Sequence, residues 1–281
     1  MNRGLHEVTL PGGVTVDCHR ESEAVLTSEQ VQLYFRHGVN LQPGATVVDV
    51  GANIGLFTLL VHQRCHGDVD VFAVEPIPAS LEALRRNVAR LGSDRIRVLA
   101  CGLGASRGSA VFAYYRHHST LSTAYGATSD EHELSEQLVQ SFLRNMDELP
   151  APQRWVRYLP SSLRLRLMRA MVARSFREVE QVRCEIRTVS DIVQEYGIKR
   201  IDLLKVDVEK AELEVLNGIA ASDWPKVQQV VMEVHDLGGR LQAITDLLKR
   251  NGVGNVIAEQ EPALRGSNVY ALYAAREPLG A

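Results

Sequence analysis

The nonapeptide VVDVGANIG at residues 47–55 limits what this chain can fold into more than any other stretch. Val47, Val48 and Val50 form a branched apolar run of the kind found in strands buried on both faces, which points to a parallel sheet. Asp49 interrupts the run near its end. Gly51 and Gly55 then permit a tight turn and a close backbone approach, and residues 56–61 begin a helix whose N-terminus faces the loop. A small ligand is expected over this turn.

Glycine turns of this kind serve several nucleotide chemistries. A dinucleotide fingerprint requires G-x-G-x-x-G, so that backbone amides meet a pyrophosphate. Here the run is Gly51, Ala52, Asn53, Ile54, Gly55, with the central glycine missing and an acid just before the turn. A nicotinamide oxidoreductase fits that pattern poorly. S-adenosylmethionine carries a sulfonium and an amino group but no phosphate, and a D-x-G-x-x-x-G turn suits its charge. The next apolar run, residues 69–74, ends in Glu75-Pro76, about 24 residues past Gly51. That is close to the roughly 20-residue offset at which a carboxylate meets ribose hydroxyls. Asp49, Gly51, Asn53, Gly55, Glu75 and Pro76 are therefore the first candidate cofactor contacts, with Glu75 on the ribose.

Four motifs in order carry a resemblance. DVGANIG (49–55), AVEPIPASLEALRRN (73–87), DLLKVDVEKAELEVLNG (202–218) and MEVHD (232–236) resemble the successive motifs of the FkbM family of S-adenosylmethionine-dependent methyltransferases. The resemblance runs from Tyr34 to about Tyr273 with a weaker middle, and residues 36–58 are especially similar to members that O-methylate macrolactone polyketides. It implies an α/β fold with a Rossmann-like class I methyltransferase sheet, S-adenosylmethionine turned over to S-adenosylhomocysteine, and a hydroxyl oxygen as acceptor. It also implies an N-terminal segment that covers the cofactor. One position departs from the family pattern: the residue after D-V-E, usually glycine, is Lys210.

Composition narrows the partners. The chain has 281 residues, 45% hydrophobic and 23% charged, with a formal net charge of -3. This is ordinary for a globular enzyme and gives no global attraction to nucleic acid. Cys18, Cys65, Cys101 and Cys184 are scattered without a C-x-x-C pair, so neither a zinc site nor a disulfide framework is expected. The start of the chain has no apolar signal core and no run reaches the roughly 20 apolar residues of a membrane span. A reduced, cytoplasmic protein without a membrane partner is the expectation, and a homodimer is left open.

In chain order, residues 6–10 and 14–18 alternate around Pro11-Gly12-Gly13 as a hairpin, and residues 22–35 read as one helix. Together with the loop to residue 44 they form the expected cover, with Tyr34 as a candidate substrate contact. The Rossmann-like core is assigned to 45–115 and 182–281. Within it residues 78–91 are an amphipathic helix, 96–100 a third strand, and Gly102 and Leu103 candidate adenine contacts at its end. Further strands are expected at 109–115, 182–189, 201–206 and 227–234, and a final antiparallel pair at 252–258 and 269–274. Residues 116–181 are too long for a bare loop and are assigned as a helical lid insertion. Its basic stretch, 162–179, is either a packed helix with a solvated face or a dock for an acidic carrier protein. His118 and Ser119, where the chain leaves the sheet, are candidate substrate contacts.

Ligands of open α/β sheets collect at the carboxyl ends of the strands. The fourth core strand brings Lys205, Asp207 and Glu209 there, and the fifth brings Glu233 and His235. His235 is the candidate general base, because an unperturbed pKa near 6.5 suits proton transfer at neutral pH. Glu209 or Glu233 would orient its second nitrogen. Lys205, Asp207 and Glu209 complete the catalytic candidates and Glu233 joins the substrate contacts, while an ion pair between Lys205 and Asp207 is the structural alternative. A divalent cation such as Mg²⁺ on Asp207, Glu209, Glu233 and His235 is weighed and not favoured. The reading is an O-methyltransferase for a hydroxylated natural product, free or carried on a protein. A sugar O-methyltransferase and a non-catalytic cofactor binder are the alternatives.

Overall fold

A computed structural model describes residues 4–115, 136, 139–140, 143–146, 151–175 and 179–279. The chain opens with the hairpin β1 (His6–Thr9) and β2 (Thr15–Cys18), followed by α1 (Glu21–Gln30). The single helix expected over 22–35 tightens into a 3-10 turn at Val31–Phe35. That turn brings Tyr34 edge-on and Phe35 stacked against Phe57, at centroid distances of 5.6 and 5.8 Å. Aromatic packing onto the next helix, rather than continued helical periodicity, decides this end.

The core then alternates strand and helix: β3 (Ala45–Val50), α2 (Leu56–Arg64), β4 (Val69–Val74), α3 (Pro78–Ala89), β5 (Ile96–Leu99). A short β6 (Gly102–Leu103) and β7 (Gly108–Tyr115) follow, and after the insertion come α4 (Ser161–Ser175) and β8 (Val179–Arg187). The chain returns to the core with α5 (Val189–Glu195), β9 (Leu203–Val206), α6 (Glu212–Asn217), β10 (Gln229–His235), α7 (Arg240–Arg250), β11 (Asn255–Glu259) and β12 (Val269–Ala275). The main sheet has seven strands in the order β11-β12-β10-β9-β3-β4-β5. Its five central and far strands are parallel, and β12 runs antiparallel between β10 and β11. This is the expected Rossmann-like methyltransferase sheet with its antiparallel last pair.

Alternation distributes the strand side chains between two cores. Val47, Val71, Leu203 and Val231 face α2, α3 and the N-terminal segment. Val48, Val50, Val74, Leu204, Val206 and Met232 face α5, α6 and α7. Because both faces are covered, the middles of β3, β4 and β10 are apolar, and the buried polar side chains Asp49, Glu75, Lys205 and His235 fall at the carboxyl ends of the strands, where the site forms.

One expectation about the core changes. The strands foreseen at 109–115 and 182–189 form, but they stand apart in a three-stranded sheet ordered β6-β8-β7. Residues 112–115 of β7 and Cys184 of β8 are buried, and Ala110, Phe112 and Ile186 close over one edge of the site, so the strands do not extend the main sheet. Much of the expected lid lies outside the described residues. Its described helix α4 begins at Ser161, and Met168 and Val172 pack with Val139 and Val156 in a small separate core. Among the described residues no helix is long and apolar enough to cross a membrane.

A buried side chain on α3 helps to attach the N-terminal hairpin, beside the Arg90 pairs to Glu7 and Asp17 and the buried Val16 and Cys18. Asn87 on α3 accepts from the Asp17 amide at 2.6 Å and donates to the carbonyls of Asp17 and Ile54 at 2.9 and 2.8 Å. It is 1% exposed, so those backbone groups have no water to turn to. Asn87→Ala is expected to lower the unfolding free energy by about 3 kcal/mol, measured by urea denaturation, and to make the hairpin more sensitive to limited proteolysis than α3.

Candidate functional site

The carboxyl ends of β3, β4 and β9, with the residues that follow β5, converge on a cavity of about 260 Å³. Its floor is the turn after β3. Gly51 has φ +76, and a Cβ there would lie 1.8 Å from the Asp207 carbonyl oxygen, so only glycine fits between β3 and β9. The Gly51 and Ala52 amides both donate to the Val74 carbonyl at 3.0 Å. Asn53 follows in the left-handed region at φ +49, a conformation asparagine tolerates.

Gly51, Asn53, Glu75, Pro76, Gly102 and Leu103 line the cavity, as do Lys205, Asp207 and Glu209. Glu75 is 5% exposed, and its two oxygens accept from the Asn53 and Ile77 amides at 2.9 Å each. Burial pushes its carboxyl up to about 7, against the two amide bonds that favour the charged form. Gly102 relieves crowding as well: a Cβ would meet Ile186 at 2.8 Å and Phe112 at 3.1 Å. Those two side chains, on β8 and β7, form an apolar wall that sequence reading missed. Strand alternation was visible there, but the pairing that turns it inward was not.

Two cofactor candidates are placed elsewhere. Asp49 is fully buried beneath the turn, where it accepts from Thr58 Oγ1 at 2.7 Å and lies 3.2 Å from Lys205 Nζ. The cation it serves is Lys205, and it is absent from the cavity wall. Gly55 has φ +92 and a Cβ there would strike Leu84 at 2.6 Å, so it is a packing glycine between the turn and α3. Lys205 is 3% exposed and donates to the Gly51 carbonyl at 2.8 Å. Burial disfavours its charge, but Asp49 and Asp207 outweigh that and hold its pKa above the usual lysine value. Its ammonium is thus spent on fixing the turn. His118 and Ser119 lie outside the described residues.

Beside the cavity, reached through Glu209, lies His235, which is 4% exposed and, like Glu233, absent from the cavity lining. Its Nδ1 is 2.9 Å from Glu212 Oε1, and its Nε2 is 3.2 Å from Glu209 Oε2 and 3.9 Å from Glu233 Oε1. Glu212, not Glu209 or Glu233, orients the ring from behind. Its signal was available three residues beyond Glu209, at the start of a short helix where an acid is favoured. Burial opposes the imidazolium, yet the facing carboxylates raise the pKa of His235 well above the ordinary histidine value. Both nitrogens of the candidate base therefore face carboxylates, Nδ1 toward Glu212 and Nε2 toward Glu209. Burial, followed by the Asp207 and Glu209 charges, raises Glu233 well above the usual carboxylate range, and burial raises Glu209 against the pull of His235. The one Glu209, one Glu233 and one His235 ligand atom lie within 4.8 Å of one another.

Tyr34 reaches this region from the N-terminal segment and donates to Asp207 Oδ2 at 3.1 Å, outside the cavity lining. Lys210 has φ +79, which accounts for the glycine usual at this position. Its strained backbone is held by its amide bond to Glu212 Oε1 at 2.8 Å and by Arg240 on its carbonyl.

Comparison with known proteins follows the same outline. The methyltransferase FkbM domain matches residues 49–253. A 31-O-demethyl-FK506 methyltransferase of Streptomyces tacrolimicus is 34% identical over 281 residues, covering 98% of this chain and 99% of that protein. The AMB antimetabolite synthetase AmbE of Pseudomonas aeruginosa is 33% identical over 280 residues, 96% of this chain but 12% of the synthetase. Among solved structures, a methyltransferase FkbM from Methylobacillus flagellatus shares the fold at a TM-score of 0.53 and 17% identity, covering 87% of this chain and 47% of its own.

The raised Glu75 carboxyl has a consequence for stability. Its folded pKa of about 7 exceeds the ordinary 4.5, so its contribution is whole below that lower value and is lost as pH rises through about 7. Glu75→Gln is expected to remove about 2–3 kcal/mol from the decline in unfolding free energy between about pH 5 and about pH 8, measured by urea denaturation of both proteins.

Proposed function

The chain belongs to the FkbM methyltransferase family, and from that premise we propose that it transfers the methyl group of S-adenosylmethionine to a hydroxyl oxygen of a natural product. The observation that carries the cofactor half is Glu75: a carboxylate buried in a largely apolar cavity wall, with lone pairs beyond those given to its two amides. Ribose hydroxyls are the donors that fit it. Asn53 and the Gly51 turn shape the floor, while Phe112 and Ile186 offer the apolar surface that a purine ring requires.

When bound, the cosubstrate supplies an electrophilic methyl on a sulfonium whose charge is lost on transfer. The chain's own task is to align the acceptor oxygen and dispose of its proton. Alignment supplies much of the acceleration in such displacements. The groups set for the proton are those around His235, where Glu209 lines the cavity and reaches the imidazole. Assignment of a hydroxylated acceptor, polyketide or polyketide–peptide in type, free or on a carrier protein, is supported by the likeness to the 31-O-demethyl-FK506 methyltransferase and to a segment of a synthetase.

Calorimetric titration with S-adenosylhomocysteine tests the cofactor half, and micromolar binding with none for NAD is expected. If ionised Glu75 receives the ribose, affinity rises about tenfold from about pH 6 to about pH 8, as the competent fraction grows. Glu75→Gln should weaken binding and flatten that dependence, whereas equal affinity in the variant would remove Glu75 from the ribose. Incubation with S-adenosylmethionine and hydroxylated macrolactones, followed by mass spectrometry, is expected to show a single added methyl on oxygen. Methylation of nitrogen or carbon would overturn the acceptor assignment.

A further inference from the structure

We infer that Glu209, Glu233 and the Nε2 nitrogen of His235 form a site for one divalent cation beside the cavity, which Glu209 lines. The sequence alone did not favour a cation, because it shows residue types and not separations. The structure supplies the separations: Nε2 is 3.2 Å from Glu209 Oε2 and 3.9 Å from Glu233 Oε1, and all three ligand atoms fall within 4.8 Å. Ligands about 2.1 Å from a common ion stand about 3 Å apart when adjacent and about 4.2 Å when opposite. The observed spacing needs only small side-chain rotations to enclose one ion.

A second feature distinguishes this group from a cluster of acids. His235 is 4% exposed, and its Nδ1 is held from behind by Glu212 Oε1 at 2.9 Å. A carboxylate on the far nitrogen of a histidine fixes the ring and aims Nε2 at the metal, which is the usual outer support of a metal-bound imidazole. Glu212 is itself fully buried, and it also accepts from the Lys210 amide, so the ring's direction is set by the fold and not by solvent. A nitrogen and two carboxylates suit a divalent ion of the Mn²⁺ type.

The inference rests on the methyltransferase reading only for what the ion does. A hydroxyl coordinated there loses its proton to solvent water more readily. The resulting oxygen attacks the methyl carbon; the C–O bond forms as the C–S bond breaks, and the electron pair stays on sulfur. No redox change is involved.

The test titrates EDTA-treated, desalted full-length protein with Mn²⁺ and follows the free ion by electron paramagnetic resonance. One ion per chain with a dissociation constant below about 100 μM is expected, displaced by excess Mg²⁺ or Zn²⁺. Glu233→Gln should weaken Mn²⁺ at least tenfold while thermal unfolding and S-adenosylhomocysteine affinity stay close to the parent values, and Glu209→Gln should weaken Mn²⁺ to a similar degree. Absence of Mn²⁺ binding up to millimolar concentration, or equal binding in both variants, overturns the site. Failure of the parent protein to bind S-adenosylhomocysteine while Mn²⁺ still binds would instead remove the methyltransfer reading and leave the cation site standing.

Discussion

Two opposite charges, Asp49 and Lys205, sit side by side at the carboxyl ends of adjacent central strands, 0% and 3% exposed. Neither can remain there alone, since an unpaired buried charge is costly. Each is therefore satisfied locally, Asp49 by Thr58 on α2 and Lys205 by the Gly51 carbonyl. Through these bonds the turn is tied to β9 and α2, and the Gly51, Ala52 and Asn53 amides tie it to β4. The same lysine lies 3.6 Å from Asp207, whose other contact is the Tyr34 hydroxyl of the N-terminal segment. One buried pair thus links sheet, turn and cover around the cavity.

Local patterns made the successive core strands and the glycine turn readable in the sequence. Branched apolar runs named the strands, and the missing central glycine separated this turn from a dinucleotide loop. The signals failed where two distant residues compete for one role. Asp49 looked like a partner for a cationic ligand because sequence cannot show that Lys205, on the neighbouring strand, already neutralises it. Gly55 looked like a ligand glycine because close approach to Leu84 leaves no trace in spacing. Glu212 stayed hidden behind His235 for the opposite reason: a surface-looking helix of Glu212–Asn217 turns its first acid fully inward.

Lys210 shows how a family preference becomes physical. The backbone at Glu209 and Lys210 turns through two consecutive positive φ values, +50 and +79. A glycine at the second would reach that shape at little cost, whereas lysine must be held in it. Arg240 and Glu212 do the holding, and Glu212 also sets the imidazole. Strain in this turn and orientation of the acceptor-side ring are therefore joined in one carboxylate.

The small sheet carries a different lesson. Tyr115, the last residue of β7, and Val179, the first of β8, are register partners. Everything between residues 116 and 178 thus leaves and re-enters at a single rung of the ladder, while Phe112 and Ile186 stay within the paired strands beside the cavity. Ile186 pairs with Gly108 at the far end of that ladder and Phe112 with Val182 in its middle, so the position of this apolar wall is set by strand pairing and not by the rung where the chain departs.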